Sequence, residues 1–269
     1  MSLERMTPVV LTKDEEANVG RTLASLAAFP RVVVVDSGST DRTEAVACGF
    51  SNVSWFVREW QGFGKQWEFA LRETAIATPF VLALDADMSV TEGLAKELSE
   101  VTERDDVDGG TIGFDYRIEG VPLAGSLYPP QLRLLRAANA RVGEAGHAHL
   151  LEVEGNVVPL RSRLVHDDRK PFEAFVRAQL GYSARELGCL YGEKSRTFSG
   201  RVRRSFPFAP LAVWAWAWLR AGGPFRGPAA RRYALERLLY EAMLRWRVED
   251  QLLTGGPPSD ERETRQADG

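Results

Sequence analysis

The chain has 269 residues, 44% of them hydrophobic and 26% charged, with a formal net charge of −3, which excludes wholesale disorder and gives no support to nucleic-acid binding. Its length accommodates one large α/β domain with an appendage, or two small domains. Two cysteines, Cys48 and Cys189, are too few and too far apart for a disulfide framework or a metal cluster, and are expected to be small buried residues. The opening residues Met1 to Arg5 lack the basic end and apolar core of a signal peptide, so the bulk of the protein is expected in the cytosol.

Pro8 to Leu11 form a short apolar run ending at Thr12, and Val19, Leu23 and Leu26 then recur at helical spacing before Pro30. Val32 to Val35 show no alternation, as expected of a strand covered on both faces; Asp36 ends it, and Thr40 or Asp41 can cap the helix that runs to about Ala47. The pattern repeats with a strand over 53–57, a helix over 66–75 and a strand over 80–84. This alternation predicts a parallel doubly wound sheet, in which ligands bind outside the carboxyl ends of the strands. Thr12, Asp36 and Asp85 occupy those ends, although Asp36, followed by Ser-Gly-Ser-Thr-Asp, could equally serve the turn at the strand exit.

A helix over about 91–101 and a strand over 109–118 follow. Glu154-Gly155-Asn156, between apolar runs at 150–153 and 157–160, reads as a hairpin turn. Residues 172–190 have helical spacing, and the tail from Gly255 is polar enough to be disordered. Between Arg201 and Arg247 ten arginines stand against Glu236 and Glu241, and the same stretch holds four of the seven tryptophans. Phe206 to Leu219 is apolar throughout, yet as a helix of about 21 Å it is too short for a bilayer core of about 30 Å. It fits an anionic membrane surface, or a helix pair packed on the catalytic domain or in a homodimer. Its aromatics cluster instead of interleaving with basic residues, which argues against nucleic acid.

Asp85-Ala86-Asp87 places two carboxylates one residue apart at the end of a buried strand. Desolvation and mutual repulsion make that arrangement costly unless a cation joins them, and oxygen ligands suit Mg2+ or Mn2+ bridging a diphosphate. A solvated turn is the alternative. No G-x-G-x-x-G and no G-x-x-x-x-G-K-[ST] is present, so phosphates would need a metal.

Leu11 to Asn18, Val33 to Asp41, and Leu84 to Asp87 resemble the signature blocks of family 2 inverting glycosyltransferases, most closely the branch of the lipopolysaccharide core glucosyltransferases. Trp60 to Gly64, Gln131 to Arg136 and Leu164 to His166 extend the likeness over about residues 7 to 190. The resemblance implies a GT-A-type, Rossmann-like, mostly parallel sheet flanked by helices, over residues 1–195. Its nucleotide half would run to about 105 and its acceptor half from 106; a helical, basic and aromatic appendage over 196–254 and the tail 255–269 would follow. It implies transfer from a UDP-sugar to a glycan or lipid-linked acceptor with inversion, in cell-envelope or polysaccharide synthesis at the inner face of the membrane, using Mg2+ or Mn2+. Thr12, Glu15 and Asp36 would face the nucleoside, Asp85 the ribose or metal, and Asp87 the metal.

The sequence also departs from the family's pattern. Trp67-Glu68 replaces a Lys-Asn pair, leaving Lys65 either to meet the phosphates or to be solvated at a helix start. The family's His-Glu pair is missing, since Leu150 follows His149. Candidates for the general base are therefore His147, His149, Glu144 and Glu152, with His149 or Glu152 favoured. Arg133 and Arg136, three apart in a strand-like run, would point to opposite sides, so one of them would reach the phosphates or the acceptor. A nucleotide-sugar-binding protein with impaired catalysis and a metal-dependent nucleotidyltransferase are the competing readings.

Overall fold

A computed structural model describes residues 3–143, 151–191 and 198–254, and all structural statements concern these. The expected α/β order is what the chain adopts. It runs β1 (Met6–Thr12), α1 (Val19–Ser25), β2 (Val32–Asp36), α2 (Thr43–Ala47), β3 (Val53–Val57), α3 (Phe63–Glu73), β4 (Phe80–Asp85), β5 (Met88–Ser89) and α4 (Glu92–Thr102). Then come β6 (Gly109–Ile118), β7 (Val121–Pro122), β8 (Gln131–Arg136), β9 (Ala140–Val142), β10 (Leu151–Val153) and β11 (Val157–His166). Four helices close the chain: α5 (Phe172–Tyr191), α6 (Phe198–Ser205), α7 (Ala209–Arg220) and α8 (Gly227–Thr254).

The main sheet has the order β3-β2-β1-β4-β8-β6-β11-β5, with β7 added beside β6. β3, β2, β1 and β4 run parallel, while β8 and β5 are antiparallel to their neighbours. The unbroken valine run of β2 is explained by its two faces. Val32 and Val34 enter a core with Val10, Leu82, Leu84, Leu94 and Leu98, whereas Val33 and Val35 enter a second core with Val9, Val81, Ala83, Trp67 and Ala70. Successive strand residues alternate sides, so a strand with helices on both faces needs apolar residues at every position. Each such side chain contributes roughly 1.5–3 kcal/mol on burial. Thr91 caps α4 by accepting from the Leu94 amide at 3.2 Å.

The expected hairpin at Glu154-Gly155-Asn156 does not form. β10 pairs with β9, whereas β11 leaves it to run parallel to β6 and antiparallel to β5. Asp108 explains the divergence: its carboxylate accepts from the Asn156 amide at 2.9 Å and its own amide donates to the Asn156 carbonyl at 2.9 Å, fastening the turn to the start of β6. Cys48, expected to be buried, is exposed because it ends the short helix α2 on its solvent side, and Cys189, also expected to be buried, is half-buried.

Packing divides the chain into two compact units. The sheet with α1–α4 forms one, up to Lys170; the residues from Pro171, together with Leu123–Leu127, form the other. In the second, α5 and α8 bury Leu187, Leu190, Leu244 and Val248 against one another. Glu241 of α8 is buried and paired with Arg203 at 2.5 Å. The tail expected over 255–269 lies outside the described residues.

Candidate functional site

The carboxyl ends of β1, β2 and β4 lie side by side because the parallel register aligns Thr12 with Asp36 and Leu11 with Asp85. Thr12 Oγ1 donates to Asp36 Oδ1 at 2.9 Å. Asp36 Oδ1 also accepts the Ser39 hydroxyl at 2.5 Å, and Oδ2 accepts the amides of Gly38 at 2.8 Å and Ser39 at 2.6 Å. Gly38 has φ +81°, a backbone region that favours glycine and lets two consecutive amides turn toward one oxygen. A carboxylate has about four acceptor positions, and here its own loop and β1 supply four donors. Asp36 is thereby fixed and buried, alongside Thr12.

The D-x-D carboxylates diverge. Asp85 pairs with Arg133 of β8 at 3.0 Å. Burial pushes its carboxyl pKa up, but Arg133, aided by His166 and Lys170, outweighs this and leaves it below the usual carboxylate value. Asp87 is shifted the opposite way. Burial is the largest cause, and the charges of Asp168 and Asp85 add to it against the pull of His166 and Lys170. Asp87 Oδ1 is buried without a hydrogen-bond partner among the described residues, and so is His166 Nδ1. Asp87 Oδ2 and His166 Nε2 face each other at 3.6 Å.

His166 belongs to no predicted role, although it closes one of the matching sequence blocks. Its position depends on strand pairing across 78 residues: β11 runs antiparallel to β5 with His166 opposite Met88, and the Asp167 amide donates to the Asp87 carbonyl at 3.0 Å. Tyr116, its partner in β6, stacks on the imidazole with ring centres 4.5 Å apart, and Tyr128 stacks on Tyr116 at 5.4 Å.

Beyond β11 the chain supplies a second unforeseen element. Lys170 Nζ reaches Glu15 at 2.6 Å and Asp168 at 3.5 Å. The fully buried Asn18 amide nitrogen donates to Glu15 at 2.9 Å and to Asp168 at 2.7 Å. Burial, the largest effect, raises the Glu15 carboxyl; Lys170 opposes it, the charge of Asp87 reinforces it, and the result is a pKa of about 7. Lys170 is held protonated well above its ordinary range: burial works against the charge, but Glu15, Asp168 and Asp87 together prevail.

The two strand arginines engage different ends of β4, and the register of β8 against β6 shifts between Leu132 and Leu134, so simple alternation does not carry through Arg133. Arg133 reaches Asp85 and lies over the Phe114 ring, at the carboxyl edge of β4. Arg136, opposite Phe80 at the other end of β4, pairs with Asp108 at 3.1 Å and donates to the Val107 carbonyl, which makes it a brace for the β6 start. Lys65 is exposed at the start of α3 and paired with Glu68 at 2.8 Å. Glu152 is exposed on β10, opposite Arg141 of β9. His149, His147 and Glu144 lie outside the described residues.

Whether these residues suit a divalent cation can be judged from the donors present. Among the described residues no group of three or more His, Cys, Asp and Glu side chains is gathered as a metal cage. Mg2+ is characteristically held by only one or two carboxylates, with substrate phosphates and water completing the shell. Asp87, with a buried, unpartnered oxygen at the carboxyl edge of the strands, supplies a carboxylate of that kind, and the imidazole of His166 beside it adds a nitrogen donor.

Residues 8–144 match the family model of glycosyl transferase family 2. A lipopolysaccharide core biosynthesis glycosyltransferase, LpsC of Rhizobium meliloti (strain 1021), is 30% identical over 165 residues, covering 56% of this chain and 58% of that protein. An uncharacterized glycosyltransferase of Rickettsia felis is 34% identical over 102 residues, covering 38% of this chain and 34% of that one. The matches thus span less than two thirds of these relatives. Among solved structures, S. aureus TarS 1–349 in complex with UDP-GlcNAc has a TM-score of 0.49 at 17% identity, covering 93% of this chain and 92% of that chain.

Proposed function

Because the chain belongs to glycosyl transferase family 2, we propose that it transfers a sugar from a nucleotide diphosphate sugar, a UDP-sugar in our reading, to a glycan or lipid-linked acceptor, with inversion. The observation that carries this is the buried, unpartnered carboxylate oxygen of Asp87, facing His166 beside the Thr12–Asp36 pair at the carboxyl edge of the parallel strands. Asp87 and His166 would hold Mg2+ or Mn2+ as protein ligands, with Asp85 close by and only its Oδ2 paired with Arg133. The bound ion would offset the charge that develops on the departing diphosphate.

Thr12, Asp36 and the Gly38–Ser39 loop form the floor for the nucleoside, and Glu15 its rim. Arg133 keeps Asp85 ionised, so that the carboxylate stays available to the ribose or the metal shell. In the transfer step an acceptor hydroxyl oxygen bonds to the anomeric carbon as the bond to the diphosphate breaks, and the hydroxyl proton passes to a base. His149 and Glu152 are our candidates for that base. Lys65 is a candidate for the donor phosphates once its exposed pairing with Glu68 opens, since such surface pairs are worth only about 0–1 kcal/mol. The name of the LpsC relative supports a role in cell-envelope synthesis, which would put the reaction at the inner face of the membrane.

Thermal-shift measurement against a panel of nucleotide sugars, with and without Mn2+, tests the reading. A ligand present at about 100 times its Kd adds roughly 2.7 kcal/mol of stability. One UDP-sugar together with Mn2+ should therefore raise Tm by about 5–10 °C, more than either component alone. If no nucleotide sugar stabilises the protein in the presence of metal, the donor assignment fails. Release of pyrophosphate in place of a nucleoside diphosphate would identify a nucleotidyltransferase instead.

A further inference from the structure

The helical unit carries a surface that transferase chemistry does not use. In α7, Phe208 at the N-cap, Leu211, Ala212, Trp216 and Leu219 are exposed, and Ala215 lies among them half-buried. Their spacing of three and four residues puts them on one helical face, which carries no charged side chain until Arg220 at its end. The buried positions of the same helix are Ala209, Ala217 and Ala221, and α7 packs against α8, whose buried residues include Ala230 and Ala234. A helix of a soluble domain ordinarily turns its large apolar residues inward. Here the fully buried ones are small and Trp214 and Trp218 are half-buried, while Phe208 is 62%, Trp216 57% and Leu219 61% exposed. Phe225, in the turn that follows α7, is 94% exposed.

Charge decides what such a face would meet. From Phe198 to Leu235 there is no Asp or Glu, but there are seven arginines. Arg201, Arg220, Arg226 and Arg231 are exposed, whereas Arg203 is engaged with Glu186 and Glu241. A second copy of this chain docked on the face would bring arginines against arginines. A surface of anionic headgroups answers both features at once: it offers negative charge to the guanidinium groups and an acyl boundary to the apolar side chains, with Trp216 at the depth that tryptophan favours. The helix rises only about 18 Å over its 12 residues. No helix among the described residues is long and apolar enough to cross a membrane, so contact would be in the plane of the interface.

We propose that the outer face of α7, extended by Phe225 and rimmed by Arg201, Arg220, Arg226 and Arg231, docks on an anionic lipid bilayer. This goes beyond the transferase reading and stands without it, since it concerns neither donor nor metal.

Co-sedimentation of the full chain with vesicles tests it. Phosphatidylcholine vesicles are compared with vesicles in which about a third of the lipid is phosphatidylglycerol. The wild type should bind the anionic vesicles at least about tenfold more tightly, and binding should weaken as salt rises from about 0.05 to 0.5 M. Each arginine near a charged membrane contributes about a fivefold gain, so R220E/R226E should lose binding by well over tenfold. W216S/L219S should lose it by a similar factor and abolish any blue shift of tryptophan fluorescence. Both variants change exposed side chains, and unaltered thermal melting would show that they remain folded. Binding equal to that of the variants, or indifferent to lipid charge, would overturn the proposal. So would a concentration-dependent dimer that the same substitutions disrupt in a chain that does not bind vesicles, because the occupant would then be a second copy.

Discussion

The strands of the sheet unit and helix α7 of the helical unit treat their large apolar side chains in opposite ways. In the sheet, Val32 to Val35 and Phe80 to Leu84 turn every side chain into one of two cores, and solvent sees the helices that cover them. In α7, Ala209 and Ala217 are buried while Phe208 at the N-cap, Leu211, Trp216 and Leu219 face outward. The charge arrangement differs as well. Acidic residues of the sheet unit converge on the carboxyl edge, where Arg133 and Lys170 compensate some of them, whereas the region from Phe198 to Leu235 is uniformly basic. A near-neutral total therefore averages an acidic strand edge and a basic helical region.

Substitutions can sharpen that contrast. The largest effect is expected from Asp87→Asn, which should lower turnover by on the order of 1,000-fold, the upper range for losing one electrostatic contact in an active site. Its Tm should be unchanged or higher, because burial already disfavours that charge; a large fall in Tm would make Asp87 a structural residue instead. Next comes the same truncation made in each unit. Leu82→Ala in the sheet core should cost about 2–5 kcal/mol, and Leu219→Ala on α7 less than about 0.5 kcal/mol, as read by denaturant unfolding. Equal losses would mean that the α7 face is covered in the folded protein.

The smallest effect concerns pH. The Glu15 carboxyl rises from its ordinary 4.5 to about 7, so the folded chain keeps a proton that the unfolded chain releases across this interval. Its contribution to stability is thus full below about pH 4.5 and is lost as pH rises through about 7. Relative to Glu15→Gln, the wild-type Tm should fall by a few degrees between these limits, and a parallel pair of Tm curves would remove Glu15 from the account.

Local chemistry made part of this legible in the sequence. A valine run ending in Asp36, and a Phe-Val-Leu-Ala-Leu run ending in Asp85, announce buried strands whose ends carry polar residues, and the structure aligns those ends. Periodicity could not reveal which residues meet across long separations. His166 joins Asp87 through the pairing of β5, only two residues long, with β11, and Lys170 reaches Glu15 across 155 positions. The expected hairpin failed for a similar reason: Gly155 supplies a turn, but Asp108, 48 residues before Asn156, decides where the strands on either side go. In the helical unit the apolar run of α7 was plain, while the choice of which face to bury depended on the alanines of α8, a tertiary matter.

The four hydrogen bonds that converge on Asp36 would give the proposed nucleotide edge a particular kinetic character. Thr12, Gly38 and Ser39 are already drawn together around that carboxylate, so the freedom of this loop is surrendered during folding and need not be surrendered again when a ligand arrives. Rigid floors of this sort favour simple encounter over slow rearrangement. A ligand at the β1 and β2 ends would meet a loop whose shape is already set.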